Sequence, residues 1–416
     1  MENVDEGPYG RPLRILWVRN GYLLPVVFGG QIRSYHTMRV LAARHHLVPF
    51  VYYRSRRRDH PYEARLAAEF PHARVQWARG GPWRETRRKR RFLQGFISRT
   101  PAEYAREASP AVRAAIQRVC AQERIDVVVW DFLQATVNLH PSAPIPGVLF
   151  EHNIESELAT RIAARQRNPV LRTWLRLKAA KLRAFESRVV QRIDHIVASS
   201  ARDAAAFRAM GAGDRVTAVS TGVDLREFRP AATESDPSLV IFVGAMRYEP
   251  NIDAMEFFCR EVWPSVRARL PDARFRIVGR TPAPRVLALA SPSVEVTGTV
   301  DSVVPHRAAA AVEVVPLLAG GGTRLKLYEA MAMGKAIVST SLGAEGLDYR
   351  DGHDIVLADS AQAFADAVVA LLNDAPRRAV LGKAAVATAA RYDWPVVVAE
   401  FEQVLRRVVA NRKTAR

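Results

Sequence analysis

Strand-length apolar runs alternate with helix-period segments along this chain, and the alternation runs twice, on either side of a polar, proline-bearing break. In the first half the strand-like runs are Leu13–Arg19, Leu47–Tyr53, Ile125–Trp130, Gly147–Phe150 and His195–Ser199, with helical patterns at Ile32–His45, Ala111–Arg124 and Asn168–Arg192. After the break the pattern restarts with Leu239–Gly244, a helix over Asn251–Leu270, and Arg274–Gly279. It continues through Val294–Thr297, Val312–Leu317, Ala336–Thr340 and Asp354–Leu357, then closes on helices at Ala361–Asn373, Arg377–Arg391 and Pro395–Ala410. Continuous apolar runs are what strands buried on both faces require, so the expectation is α/β: two doubly wound, mostly parallel domains. The 416 residues suffice for two domains of ordinary size. The expected boundaries are 1–229, a linker over 230–237, a second domain over 238–394 and a C-terminal helix over 395–416.

Charge separates the halves. Residues 1–230 carry 39 Lys and Arg against 21 Asp and Glu, whereas residues 231–416 carry 22 against 21. Much of the excess lies in Arg54–Arg58, in Arg84–Arg91 and in the series Arg172, Arg176, Lys178, Lys181, Arg183, Arg188 and Arg192. Such a half suits an anionic partner, and an anionic membrane surface fits better than nucleic acid because no nucleic-acid-binding signature accompanies the charge. A solvated face in an arginine-rich chain accounts for the same charge equally well. Met1–Gly7 is acidic rather than basic and then apolar, and no run approaches eighteen apolar residues, so the expected location is cytoplasmic, peripheral at the inner membrane face if the basic half meets lipid. Cys120 and Cys259 stand far apart without clustered histidines, which suggests neither a disulfide framework nor a zinc site.

The segment Pro316–Thr340 reads as strand, glycine loop, helix and strand in succession. Gly320, Gly321, Gly322 and Thr323 ahead of a helix expose backbone N–H groups to an anion, while Arg324 and Lys326 add formal charge suited to a diphosphate. Glu329 follows Lys326 by three residues and so shares its helical face. A glycine turn with an ordinary surface ion pair is the bland alternative.

With these blocks go Gly29-Gly30 after the first strand, Glu151-His152-Asn153, Thr221–Asp224 followed by Phe228–Pro230, Phe242–Gly244, and Gly343–Leu347. In this order and spacing the chain resembles the GT-B-fold retaining glycosyltransferases of family 4, in a branch with Gly-Gly-Gly-Thr-Arg-x-Lys. The resemblance implies two Rossmann-like domains facing across a cleft, with a nucleotide diphosphate sugar bound chiefly by the C-terminal one. It is a substrate rather than a cofactor, and a lipid-linked acceptor on the N-terminal side fits cell-surface polysaccharide or glycolipid synthesis. By the same resemblance Glu329 takes the ribose hydroxyls, Gly29 and Gly30 approach the donor phosphates, and His152 faces the donor sugar. Arg324 and Lys326 neutralise the departing diphosphate, with Arg247 a further candidate; Asp224 holds the interdomain turn.

The chain also departs from the family pattern. Gly321 stands where many members have a glutamate, and Ala245 and Pro250 where many have an arginine and a lysine. These departures motivate the alternative of a catalytically silent GT-B protein that binds nucleotide sugar or glycan. A nicotinamide-dependent oxidoreductase is disfavoured because no G-x-G-x-x-G follows the first strand of either half. No Asp-x-Asp occurs, so the transfer is expected to be metal-independent.

Overall fold

The protein's structure, a computed structural model, describes residues 11–26, 28–53, 60–77, 100–139, 145–231, 234–319 and 324–414. The basic clusters Arg54–Arg58 and Arg84–Arg91 and the loop residues Gly320, Gly321, Gly322 and Thr323 lie outside the described residues. By packing, the chain divides into two units: residues up to Val219 together with those from Val398 onward, and Ser220–Val397.

The first unit contains β1 (Arg14–Asn20), α1 (Gly29–Ala42), β2 (His46–Tyr53), α2 (His60–Glu69), β3 (Arg74–Trp77) and α3 (Pro110–Gln122). These are followed by β4 (Val127–Asp131), β5 (Gly147–Phe150), α4 (Glu155–Arg165), α5 (Pro169–Arg192), β6 (His195–Ala198), α6 (Ala201–Phe207) and β7 (Val216–Ala218). The seven strands are parallel in the order β3-β2-β1-β4-β5-β6-β7. β4 is buried at every residue and β1 at all but its ends, as the unbroken apolar runs require. Trp17 on β1 meets Phe150 on β5 edge-on at 5.0 Å, and both rings pack on Phe401. All three are essentially fully buried, each contributing about 1.5–3 kcal/mol by removal from water. Helix α5 starts where the sequence says it must: Asn168 accepts hydrogen bonds from the backbone N–H groups of Val170 and Leu171, and Pro169 occupies the first turn.

The second unit contains β8 (Asp236–Val243), α7 (Glu249–Phe257), α8 (Trp263–Arg269), β9 (Arg274–Val278), β10 (Val294–Gly298), α9 (Val304–Ala309) and β11 (Ala310–Val315). Then come α10 (Leu325–Ala332), β12 (Ala336–Ser339), β13 (Val356–Leu357), α11 (Ala361–Asn373) and α12 (Ala375–Ala390), and α13 (Trp394–Thr414) starts in this unit and belongs to the first from Val398 onward. Its six parallel strands run β10-β9-β8-β11-β12-β13. The single helix expected over Asn251–Leu270 is instead α7 and α8 joined by a wider π turn at Phe258–Val262. Pro264 is the cause: it lacks the N–H that would continue the ladder and its ring crowds the preceding turn.

Both sheets are doubly wound, and strand order reverses between β1 and β4 in the first and between β8 and β11 in the second. Ligands of such sheets sit beyond the carboxyl ends of the strands at those reversals. Among the described residues no helix is long and apolar enough to cross a membrane.

Candidate functional site

In the first unit the strand ends converge on Asp131, the last residue of β4. Its side chain is wholly buried and accepts hydrogen bonds from Trp17 Nε1 at 3.1 Å, Arg19 Nη1 at 2.5 Å, and His152 Nε2 at 2.9 Å. Ser34 Oγ on α1 lies 3.0 Å from the same carboxylate and 2.9 Å from the Gly30 carbonyl oxygen. Burial alone pushes the Asp131 carboxyl up, but Arg19 and the His152 hydrogen bond outweigh it, and the group lies well below the ordinary carboxylate range. Burial pulls His152 down to about 4 against the attraction of Asp131, so at neutral pH the imidazole is uncharged. With an ionised acceptor on Nε2, the proton resides there and Nδ1 keeps its lone pair.

That lone pair has a defined direction. A Cβ on Gly30 would stand 3.5 Å from His152 Nδ1 and 2.5 Å from Phe132 Cζ, so only glycine lets the start of α1 come this close. Phe132 stacks on the imidazole at 4.0 Å. Arg33, almost fully buried, donates to the Glu151 and Val219 carbonyls at 2.6 and 2.8 Å and thereby ties α1 to the segment carrying His152. The structure thus brings Gly30 and His152 together, with Gly29 opening α1. Glu151, beside His152, has both carboxylate oxygens buried and without a hydrogen-bond partner among the described residues. Burial, reinforced by Glu155 and Glu186, raises it well above the usual carboxylate range.

In the second unit Lys326 and Glu329 project from α10, and Arg324 is its largely buried N-cap residue. Lys326 Nζ donates to Asn251 Oδ1 at 2.9 Å and lies 4.1 Å from the centre of the Phe242 ring. Asn251 is itself fixed by donating to the Ala245 carbonyl at 2.9 Å, in the turn that follows β8. A Cβ on Gly244 would meet Lys326 Nζ at 2.9 Å, so the absent side chain is the room the ammonium uses. Burial, and then Arg324, lower Lys326 to about 7. Glu329 accepts from Arg307 Nη1 at 2.6 Å, and Arg307, fully buried, also pairs through Nε with buried Glu313 at 3.0 Å and donates to the Lys326 carbonyl at 3.3 Å. Arg247 is exposed in the turn after β8.

Asp131, Arg19, Ser34, Asn251, Arg307 and Glu313 are the members that sequence reasoning missed. The available signal was position: a charged residue closing an otherwise apolar parallel strand faces the ligand end of the sheet.

Comparison with known proteins agrees with this fold. Residues 237–374 match the glycosyl transferases group 1 family. The phosphatidyl-myo-inositol mannosyltransferase of Mycolicibacterium smegmatis is 29% identical over 238 residues, which cover 55% of this chain and 60% of the mannosyltransferase. The chain therefore spans about 60% of the length of that curated relative. Among solved structures, a sucrose-phosphate synthase from Thermosynechococcus elongatus superposes with a TM-score of 0.70 at 19% identity, over 96% of this chain and 100% of that one. Anabaena HepE in complex with UDP superposes with a TM-score of 0.65 at 13% identity, over 95% and 100%. Two Rossmann-like units of seven and six parallel strands, with these structural neighbours, define a GT-B-fold protein. The match to the glycosyl transferases group 1 family lies wholly within the second unit.

Proposed function

We propose that this protein is a retaining glycosyltransferase that moves a sugar from a nucleotide diphosphate sugar to an acceptor hydroxyl, in cell-surface polysaccharide or glycolipid synthesis. The observation that carries the reading is the frame on α10, where Lys326 and Glu329 are each fixed by a buried partner at the carboxyl end of the second sheet. A carboxylate held by Arg307 keeps acceptor capacity for a ribose hydroxyl, and Lys326 with Arg324 meets the charge that develops on a departing diphosphate. Two such cations do what a divalent metal does elsewhere, so the transfer runs without one. Gly320, Gly321, Gly322, Thr323 and Arg247 complete the donor site, Gly29 and Gly30 offer the start of α1 to the phosphates, and His152 accepts from a sugar hydroxyl through Nδ1. The bond from the anomeric carbon to the diphosphate breaks, the bond to the acceptor oxygen forms on the same face, and the acceptor proton leaves with the phosphate. The acceptor is lipid-linked, as the name of the phosphatidyl-myo-inositol mannosyltransferase says of that enzyme's, and the protein works peripherally at the inner membrane face.

A thermal-shift screen against UDP, GDP, ADP and CMP tests the donor half. One nucleoside diphosphate at roughly a hundredfold its dissociation constant stabilises the wild type by about 2.7 kcal/mol, and Glu329→Ala removes most of that gain. Stabilisation by none of them sinks the donor reading.

The same complex has a signed pH dependence. Lys326 titrates near 7 without ligand, and a bound diphosphate favours its charged form. Affinity is therefore greatest below about pH 7 and falls as pH rises, towards a limit of about tenfold per unit, because binding must then take up a proton. Calorimetry at pH 8 in buffers of different ionisation enthalpy reads that uptake directly; buffer-independent heat contradicts the assignment. Lys326→Gln flattens the profile.

A further inference from the structure

The hairpin of α4 and α5 has one end at the His152 site and one end in water. At the inner end Glu186 on α5 accepts from the backbone N–H groups of Glu155 and Ser156 at 3.0 and 3.4 Å and from Ser156 Oγ, which pins the start of α4 three residues beyond His152. On the α5 side of the outer end nothing is buried: no residue of 169–178, the first ten of α5, reaches the core, which the helix first enters at Ala179. Yet this end is apolar. Val170 is 78% exposed, Leu177 59%, Leu171 41%, and Ile162 on the facing part of α4 55%. Val170, Leu171, Trp174 and Leu177 recur at helical spacing and share one side of α5, while Arg172, Arg176 and Arg183 share another. Residues 158–185 hold eight Lys and Arg and no Asp or Glu.

An apolar stripe ending in Trp and Leu, flanked by arginines in a stretch of the hairpin that holds no Asp or Glu, has the chemistry of a helix that lies in a lipid interface. A stripe of this kind on a monomer surface otherwise costs solubility without return. A duplex nucleic acid would use the cations but leave Val170 and Leu177 in water, and a protein partner would need its own acidic and apolar face. We infer that the outer end of the α4–α5 hairpin, residues 162–178, docks on an anionic lipid bilayer, with Ile162, Val170, Leu171, Trp174 and Leu177 entering the acyl boundary. Arg167, Arg172 and Arg176 meet the head groups, and Lys178 and Lys181 extend to the same surface along their apolar stems. Because the inner end starts beside His152, docking holds that site at a fixed distance from the surface on which a lipid-linked acceptor resides. The inference rests on the glycosyl-transfer reading for its purpose, not for its geometry.

The test is co-sedimentation of the full chain with vesicles of phosphatidylcholine alone and of equimolar phosphatidylcholine and phosphatidylglycerol, at low and raised salt. Wild type pellets with the anionic vesicles only. Each basic residue at such a surface is worth roughly fivefold in partitioning, so Arg172→Gln/Arg176→Gln binds about thirtyfold more weakly. Val170→Ser/Leu177→Ser still binds at low salt but loses the binding that persists when salt screens the charges. Both double variants alter exposed positions and retain the wild-type thermal shift with the nucleoside diphosphate, which shows that they are folded. The inference is overturned if wild type does not pellet, or if both double variants pellet like wild type. It is also overturned if these residues instead govern retention on duplex DNA or self-association in solution. Vesicle binding with no nucleotide-induced shift would remove the donor reading and leave the docking surface standing.

Discussion

Arg307→Met is expected to be among the most destabilising single changes in the second unit, costing about 3–5 kcal/mol. Its guanidinium is fully buried, its Nε is 3.0 Å from a Glu313 carboxylate that is also fully buried, and burial already pushes Glu313 up despite the arginine. Removing the cation leaves that carboxyl without a counter-charge, and scanning calorimetry will show the second unit melting well below wild type. The informative variant is the double one, Arg307→Met/Glu313→Leu. Replacing both members of a buried pair by apolar side chains is often nearly neutral, so stability returns to within about 1–2 kcal/mol of wild type. Nucleotide binding does not return with it. Glu329 has lost the 2.6 Å hydrogen bond that fixes its carboxylate, and the backbone of α10 has lost the donor to the Lys326 carbonyl. Affinity for the nucleoside diphosphate stays at least about tenfold reduced, the loss of one charge-assisted hydrogen bond's orientation. A stable double variant that binds like wild type would reduce Arg307 to a packing element.

What could be read from the sequence follows from which physical features are local. Strands β1, β4, β5, β8 and β11 are buried on both faces, and so each announces itself as an apolar run. The edge strands of the first sheet do not: β3 is Arg-Val-Gln-Trp, exposed at Arg74 and only half-buried beyond it, and β7 is only Val-Thr-Ala. The same division holds for the site. Lys326 and Glu329 sit a helical turn apart behind a glycine run, a pattern contained in one stretch of chain. Their partners are not near them in sequence: Asn251 is 75 residues from Lys326 and Arg307 is 22 from Glu329. Asn251 even belongs to the segment after β8 in which many family members carry cations and this chain has Ala245 and Pro250. The structure puts an amide there that holds the ammonium of Lys326 in place. Asp131 was legible only in principle, as an acidic end to the Ile125–Trp130 run, because its donors come from β1, α1 and the segment after β5, up to 114 residues away.

Asp131→Asn is expected to separate turnover from donor binding. The carboxylate sits among four donors, from Trp17, Arg19, Ser34 and His152, and an amide has one acceptor oxygen to offer and brings donors of its own. The first consequence is energetic: Arg19, with its side chain 7% exposed, loses its counter-charge, at a cost of about 3–5 kcal/mol. The second is chemical. An amide N–H facing His152 Nε2 makes that nitrogen the acceptor, so the ring proton moves to Nδ1 and the lone pair no longer points towards Gly30. Where an aspartate fixes a catalytic histidine's tautomer, its conversion to asparagine lowers turnover by as much as about ten thousandfold with geometry intact. Here a fall of about a hundredfold or more in kcat is expected, measured below the variant's lowered melting temperature. The thermal shift with the nucleoside diphosphate stays close to wild type, because Lys326, Glu329 and their partners belong to the other unit. Nitrogen chemical shifts of the His152 ring report the tautomer independently of activity. Wild-type turnover together with an exchanged tautomer would remove His152 Nδ1 from the reaction. An unchanged tautomer together with lost turnover would assign the defect to Arg19 and the packing around it.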